Sequence, residues 1–256
     1  MPLSLIHHRS WRILLLAGVA ALSLSACASN RGQLGNTDYS ALPAEQRHQT
    51  LADLTARYKS NPRDRGVVVH YAAALRAAGQ PQQASAALEN AMTAFPGDLE
   101  ITVAYAKALT GQGQFDQAIA VLDTVIRPDA PDWNALLVRG AALDQTGRHS
   151  EARAHYKQAA VMAPAEASIE TNLGLSFAMT NDLPQAEQHL RRALQMRGAG
   201  SQTRQNLALV VGLQGRFDEA RALYAAQLPP DQVEANMAYV RALLTQQNRW
   251  DMIPNG

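Results

Sequence analysis

A single cysteine, Cys27, is all the thiol chemistry in 256 residues. One thiol excludes an intramolecular disulfide and any zinc site built on cysteines. Aromatic residues are scarce at 5%, which argues against an all-β sandwich with Tyr and Trp in its core. Neither sign of charge is in excess: 23 Lys and Arg stand against 22 Asp and Glu, a formal net charge of +1. The chain therefore lacks the basic surplus of a dedicated nucleic-acid binder. The apolar run at residues 13–24 covers about 18 Å as a helix, short of a hydrocarbon core of about 30 Å, so it is no membrane span. What is abundant is small and apolar. The 47% hydrophobic content, much of it alanine, is too high for a disordered chain and points to packed helices.

Residues 1–26 read as an address. His7, His8, Arg9 and Arg12 give a basic start, followed by the short apolar run, the layout of a secretory signal peptide. The run ends in Leu24-Ser25-Ala26-Cys27, which resembles the lipobox of bacterial lipoproteins. The resemblance implies diacylglycerol on the Cys27 sulfur, cleavage before Cys27 and acylation of the new amine. Several acyl chains on one residue anchor stably where a single chain is marginal. Residue 28 is Ala where an Asp often signals inner-membrane retention, so the expected location is the cell envelope, on the outer membrane facing the periplasm. Removing residues 1–26 takes away two arginines and no acid, leaving 21 basic against 22 acidic residues. Residues 27–42, rich in Gly, Asn and Ser, read as a flexible tether with a reach of roughly 20 Å.

From residue 65 onward one pattern repeats. Ala84, Ala118, Ala152, Ala186 and Ala220 are each 34 residues apart. Five positions before them stand Gly79, Gly113, Gly147, Asn181 and Gly215. Twelve before stand Ala72, Ala106, Gly140, Gly174 and Ala208. Small residues let two antiparallel helices approach closely. Gly or Asn ends the first helix in a left-handed conformation, and Pro96 and Pro164 close the second. Larger residues fill the core: Leu75, Leu109, Leu143, Phe177 and Val211 in the first helix, and Leu88, Leu122, Tyr156, Leu190 and Tyr224 in the second.

This spacing resembles the tetratricopeptide repeat (TPR) family. The resemblance implies an all-α TPR solenoid, a right-handed superhelix of antiparallel helix pairs. Five frames are expected at 65–98, 99–132, 133–166, 167–200 and 201–234. The second helix of frame two should stop near Ile126, ahead of Pro128, and frame five should break at Pro229-Pro230. Residues 43–62, with Leu51, Leu54 and Tyr58 at helical spacing, read as an N-terminal capping helix. Residues 232–246, with Val233, Met237, Val240 and Leu244 on one stripe, read as a C-terminal one, and 247–256 as a tail.

Catalytic patterns are missing. The histidines at 48, 70, 149, 155 and 189 form no HExxH and read as solvated surface residues. Gly111-Gln112-Gly113 lacks the rest of a dinucleotide loop, and Gly113 is explained as a helix stop. Asp218-Glu219 reads as a helix N-terminal cap. The chain is expected to be a non-enzyme with no metal and no cofactor beyond the lipid at Cys27.

In TPR arrays the first helix of each pair lines a concave face. Carried onto this chain, the family's groove positions include Val69, His70, Ala73 and Arg76, then Lys107 and Thr110, then Leu137, Ala141 and Asp144. The C-terminal half offers an amide ladder, Asn172, Gln202, Gln205 and Asn206, beside Thr171, Leu175, Leu209 and Leu213. Side-chain amides suit an extended backbone and leucines suit apolar side chains. No frame carries the Lys-and-Asn pair of the family's carboxylate clamp, so capture of a C-terminal carboxylate is not expected. Three segments, QNLALVVGLQGRFDEA (205–220), EANMAYVRALL (234–244) and TNLGLSFA (171–178), resemble the TadD-type lipoproteins of the Tad (tight adherence, Flp pilus) system. That resemblance implies a pilotin-like scaffold with a secretin or other pilus assembly components as partners, and neither nucleic acid nor a small-molecule substrate. A TPR lipoprotein of β-barrel assembly, or an adaptor regulating cell-wall enzymes, are the alternatives. Replacing the acylated residue tests the anchor: Cys27→Ser should move the protein from the membrane pellet to the soluble fraction and abolish labelling by radioactive palmitate. A variant that still pellets with membranes would contradict it.

Overall fold

Every helix boundary follows the 34-residue period. The computed structural model describes residues 39–251, with side chains through residue 245. The signal peptide, Cys27, the tether up to residue 38 and the last five residues lie outside the described residues. A short 3-10 turn, Tyr39–Ala41, leads into α1 (Ala44–Ser60). Five helix pairs follow: α2 (Arg65–Ala77) with α3 (Pro81–Ala94), α4 (Leu99–Gly111) with α5 (Phe115–Asp123), α6 (Trp133–Gln145) with α7 (His149–Met162), α8 (Ala167–Met179) with α9 (Leu183–Gln195), and α10 (Ser201–Leu213) with α11 (Phe217–Ala225). The last helix is α12 (Pro230–Asp251). No strand occurs among the described residues. Each helix packs on the next, and the first helices of neighbouring pairs also touch, α2 on α4, α4 on α6, α6 on α8, α8 on α10 and α10 on α12. This is the layout of an α-solenoid.

The turn inside each pair is the same five times. Gly79, Gly113, Gly147 and Gly215 have φ between 72° and 81°, and Asn181 takes the same left-handed conformation at 59°. Around Gly79, the Gln80 N–H reaches back to the Leu75 carbonyl at 2.9 Å and the Gly79 N–H to the Arg76 carbonyl at 3.0 Å. These two bonds satisfy carbonyls that the helix end would otherwise orphan. The same pair recurs at Gln114 and Gly113, Arg148 and Gly147, Asp182 and Asn181, and Arg216 and Gly215.

Helix starts repeat as well, in a way the sequence reading did not register. Asp64, Asp98 and Asp132, again 34 apart, accept the backbone N–H of Val67, Ile101 and Ala135 at 2.9, 3.0 and 2.8 Å. The fourth and fifth frames have Glu166 and Gly200 there, without a side-chain cap. The expected cap at Asp218-Glu219 is not formed. Glu219 instead pairs with Arg191 and Arg216, because both acids lie inside the first turn of α11, past the capping position.

Packing follows the small residues. The five period-marking alanines, 84 to 220, are wholly buried, as are Ala72, Ala106 and Ala208. At Gly140 a Cβ would sit 2.5 Å from Cε1 of Tyr156, and at Gly174 one would sit 2.7 Å from Cγ of Leu190. Those glycines are empty space that the partner helix fills. The buried side chains form two clusters, one running from α2 to α8 and one from α9 to α12, with Phe177 against both.

Three boundaries differ from expectation. Helix α5 ends at Asp123 rather than Ile126, since Pro128 and a tight turn closed by the Ala130 N–H on the Arg127 carbonyl take over. Helix α12 starts at Pro230, a favourable first-turn proline, and continues through Asp251, so part of the expected tail is helical. The end of the expected tether is folded, as the turn at Tyr39–Ala41. Gly140→Val should cost about 1–3 kcal/mol or more through overpacking against Tyr156, read as a lowered urea midpoint with the far-UV helical signal kept in buffer.

Candidate functional site

A groove of about 650 Å³ runs along the first helices of all five pairs. Its wall takes Ala73, Arg76 and Ala77 from α2, Lys107 and Thr110 from α4, and Leu137, Val138 and Ala141 from α6. Helix α8 contributes Ala167, Ser168, Thr171 and Asn172, and α10 contributes Gln202 and Thr203. Tyr39 and Ser40, from the turn before α1, complete the N-terminal end. The helix pairing explains this composition. Each first helix turns one stripe toward its own partner helix, which leaves the opposite stripe to line up with its counterparts in the neighbouring repeats.

Four of the nine candidate groove residues lie in the wall: Lys107, Thr171, Asn172 and Gln202. Leu175, Gln205, Leu209 and Leu213 are half-buried and do not line it. Asn206 is buried, only 8% exposed. The amide ladder is therefore not an open row of donors. The Asn172 Nδ2 donates to the Ser168 carbonyl at 2.8 Å, and Gln202 Nε2 donates to Asn206 Oδ1 at 3.1 Å. The hydroxyls of Thr171 and Thr203 meet at 3.0 Å and tie α8 to α10 under the groove floor. The wall carries two cations, Arg76 and Lys107, against one acid, Glu166.

Asp144, expected to face the groove, is buried instead. Its Oδ2 accepts the Tyr156 hydroxyl and its Oδ1 the Ser176 hydroxyl, each at 2.8 Å. His149 Nδ1 lies 2.9 Å from the same Oδ1. One carboxylate thus joins α6, α7 and α8. Burial, with the Asp144 charge beside it, pushes the Tyr156 phenol far above its ordinary pKa, so it stays a hydrogen-bond donor throughout the physiological range.

Four of the five histidines correct the surface reading, and His48 alone is exposed. His70 Nδ1 is 2.9 Å from the Tyr39 hydroxyl, and burial lowers its pKa. His155 is lowered by burial and by Arg139, whose guanidinium is 2.5 Å from its Nε2. His149 joins the Asp144 cluster. His189 stacks on Phe177 at 5.3 Å and pairs with Glu170 at 2.7 Å. Each holds helices together, and none gathers with acids into a group that could hold a metal among the described residues. The groove residue most clearly missed from sequence is Tyr39. It is the one aromatic residue between 28 and 42, and that isolation was the signal available.

The fold and groove define a class, the α-solenoids of antiparallel helix pairs. Family models for the tetratricopeptide repeat match residues 75–140, 137–203 and 202–226, together more than half of the chain. The chain belongs to the tetratricopeptide-repeat family, typically a non-catalytic scaffold for protein–protein interaction. Among curated proteins none matches the sequence significantly. Among solved structures, a thermophilic TPR protein of Thermus thermophilus is 23% identical, with a TM-score of 0.61 over 72% of this chain and 99% of that one. PilW, a type IV pilus biogenesis factor, is 16% identical, with a TM-score of 0.58 over 73% and 88% of the two chains. A TPR protein from Parabacteroides merdae is 14% identical, with a TM-score of 0.57 over 80% and 81%. At these identities the likeness is one of fold. Among the described residues no helix is long and apolar enough to cross a membrane.

Asp144→Asn should lower stability by about 1–3 kcal/mol, because the amide nitrogen cannot accept from a buried hydroxyl. Chemical denaturation of the variant beside Tyr156→Phe reads the cost, and a double variant no worse than either single change is the mark of one shared bond.

Proposed function

We propose that this chain is a lipid-anchored, non-catalytic scaffold that holds an extended segment of a protein partner during assembly of a Tad/Flp pilus secretion apparatus. The observation that carries the reading is the continuous groove from α2 to α10, lined by cations, hydroxyls and amides. Such a wall bonds a polypeptide backbone and leaves its side chains to set selectivity. The family's typical role supports the scaffold. The TadD-type wording of the last repeat and terminal helix supports the pilus, and the pilus biogenesis factor PilW has the same fold. A secretin or another pilus component is the partner in this reading. Cys27 supplies the membrane attachment, most naturally at the outer membrane, so no cofactor is needed.

The test is a groove variant scored in the native host. Lys107→Glu with Asn172→Ala should cut co-purification of the partner at least about tenfold, the loss of one charge-assisted contact, with helical content unchanged. The same strain should lose surface pili and secretin multimers in outer-membrane fractions, as should a deletion. Normal pili in the deletion strain would remove the pilus assignment, and undiminished partner capture by the groove variant would remove the groove.

A further inference from the structure

One polar atom near the groove is buried without a partner. Asn206 is more than nine-tenths buried, and its Nδ2 has no hydrogen-bond acceptor. A buried amide N–H left unpaired is costly, and native structures hold few of them. Its cover is specific. Gln202, one turn earlier on α10, is exposed, lines the groove and donates its own amide to Asn206 Oδ1 at 3.1 Å. Asn206 stands 34 residues after Asn172, which lines the groove one repeat earlier, so both occupy the same position of their repeat. Leu209 lies three residues further along α10, on the same face as Asn206. It is half-buried, as is Leu175 at the equivalent position of α8.

We propose that Gln202 covers a closed subsite, in which Asn206 Nδ2 takes a backbone carbonyl of an extended peptide once the Gln202 side chain swings aside, with Leu175 and Leu209 flanking the residue that follows. The inference rests on the groove being the binding face and adds its selective end. An acceptor entering here satisfies a donor the free protein leaves unpaired. The ligand is a stretch of backbone carrying a neutral, apolar side chain at this end, because the wall's cations lie on α2 and α4 and none is contributed by α10. Gln202 is an exposed side chain held by one hydrogen bond to another side chain, so moving it disturbs no helix.

The two amides then have opposite effects, which a purely structural role for the pair does not produce. The probe is the capped peptide acetyl-Ser-Leu-Ser-Leu-Ser-amide, titrated into the full chain with side-chain amide resonances followed by NMR. The Asn206 resonance should shift on saturation. Asn206→Ala should raise the dissociation constant about fivefold, and Gln202→Ala should lower it about threefold, as expected for loss of one hydrogen bond and of one competing bond. An Asn206 resonance that stays fixed while Lys107 and Asn172 respond overturns the subsite and leaves the groove standing. Weakening by both substitutions overturns it as well. No response anywhere, together with partner capture indifferent to Lys107 and Asn172, overturns both readings.

Discussion

Two helices can lie against each other along their length only where no side chain stands between their backbones. In this chain that condition is met every 34 residues by an alanine on each second helix, wholly buried in all five pairs. Facing it on the first helix is an alanine or glycine. Gly140 and Gly174 show how tight the fit is, since even a methyl group at either would overlap the ring of Tyr156 or the branch of Leu190. The left-handed residue that reverses the chain and the paired hydrogen bonds around it place the second helix at the right distance for this contact. Both requirements are local, so a short sequence repeated without insertion is enough to specify the array.

The groove is a by-product of that packing. Because every first helix turns one stripe inward to its small-residue contact, the opposite stripe of α2, α4, α6, α8 and α10 is left facing one common space. What lines it is free to vary, and here it carries two cations, several hydroxyls and side-chain amides instead of an apolar stripe. A surface of this kind gains little from burying area and much from pairing backbone donors and acceptors, which suits an extended segment of another protein. The buried Asp144 cluster and the Thr171–Thr203 bond lie behind this wall and hold α6, α7, α8 and α10 in register. The polar groups there fix geometry, while those in the groove remain for recognition.

The repeat was legible because its signals are residues with unusual backbone or volume: Gly, Ala and Pro at fixed spacing. The aspartate caps at 64, 98 and 132 follow the same period and were legible in principle, but they stop after the third frame. The groove was legible by half. Lys107, Thr171, Asn172 and Gln202 sit where their frame positions put them, while Leu175 and Leu209 share a frame position that the neighbouring helices half cover. Asp144 shows the limit of frame counting. Arg76 and Thr110 hold the same position and line the groove, yet Asp144 is drawn inward by Tyr156 and Ser176, partners that only the packed structure brings near it. The histidines were misread for the same reason, since each is fixed by a residue from another helix or from a flanking turn.

The central claim, that the concave face captures the partner, is tested most directly by photo-cross-linking in the native host. A photoreactive residue placed at Thr110, in the groove wall, is compared with one at Val161, which is 83% exposed and outside it. The groove account gives one discrete partner adduct at Thr110 and none at Val161. An adduct at Val161 alone, or of equal strength at both positions, would contradict it.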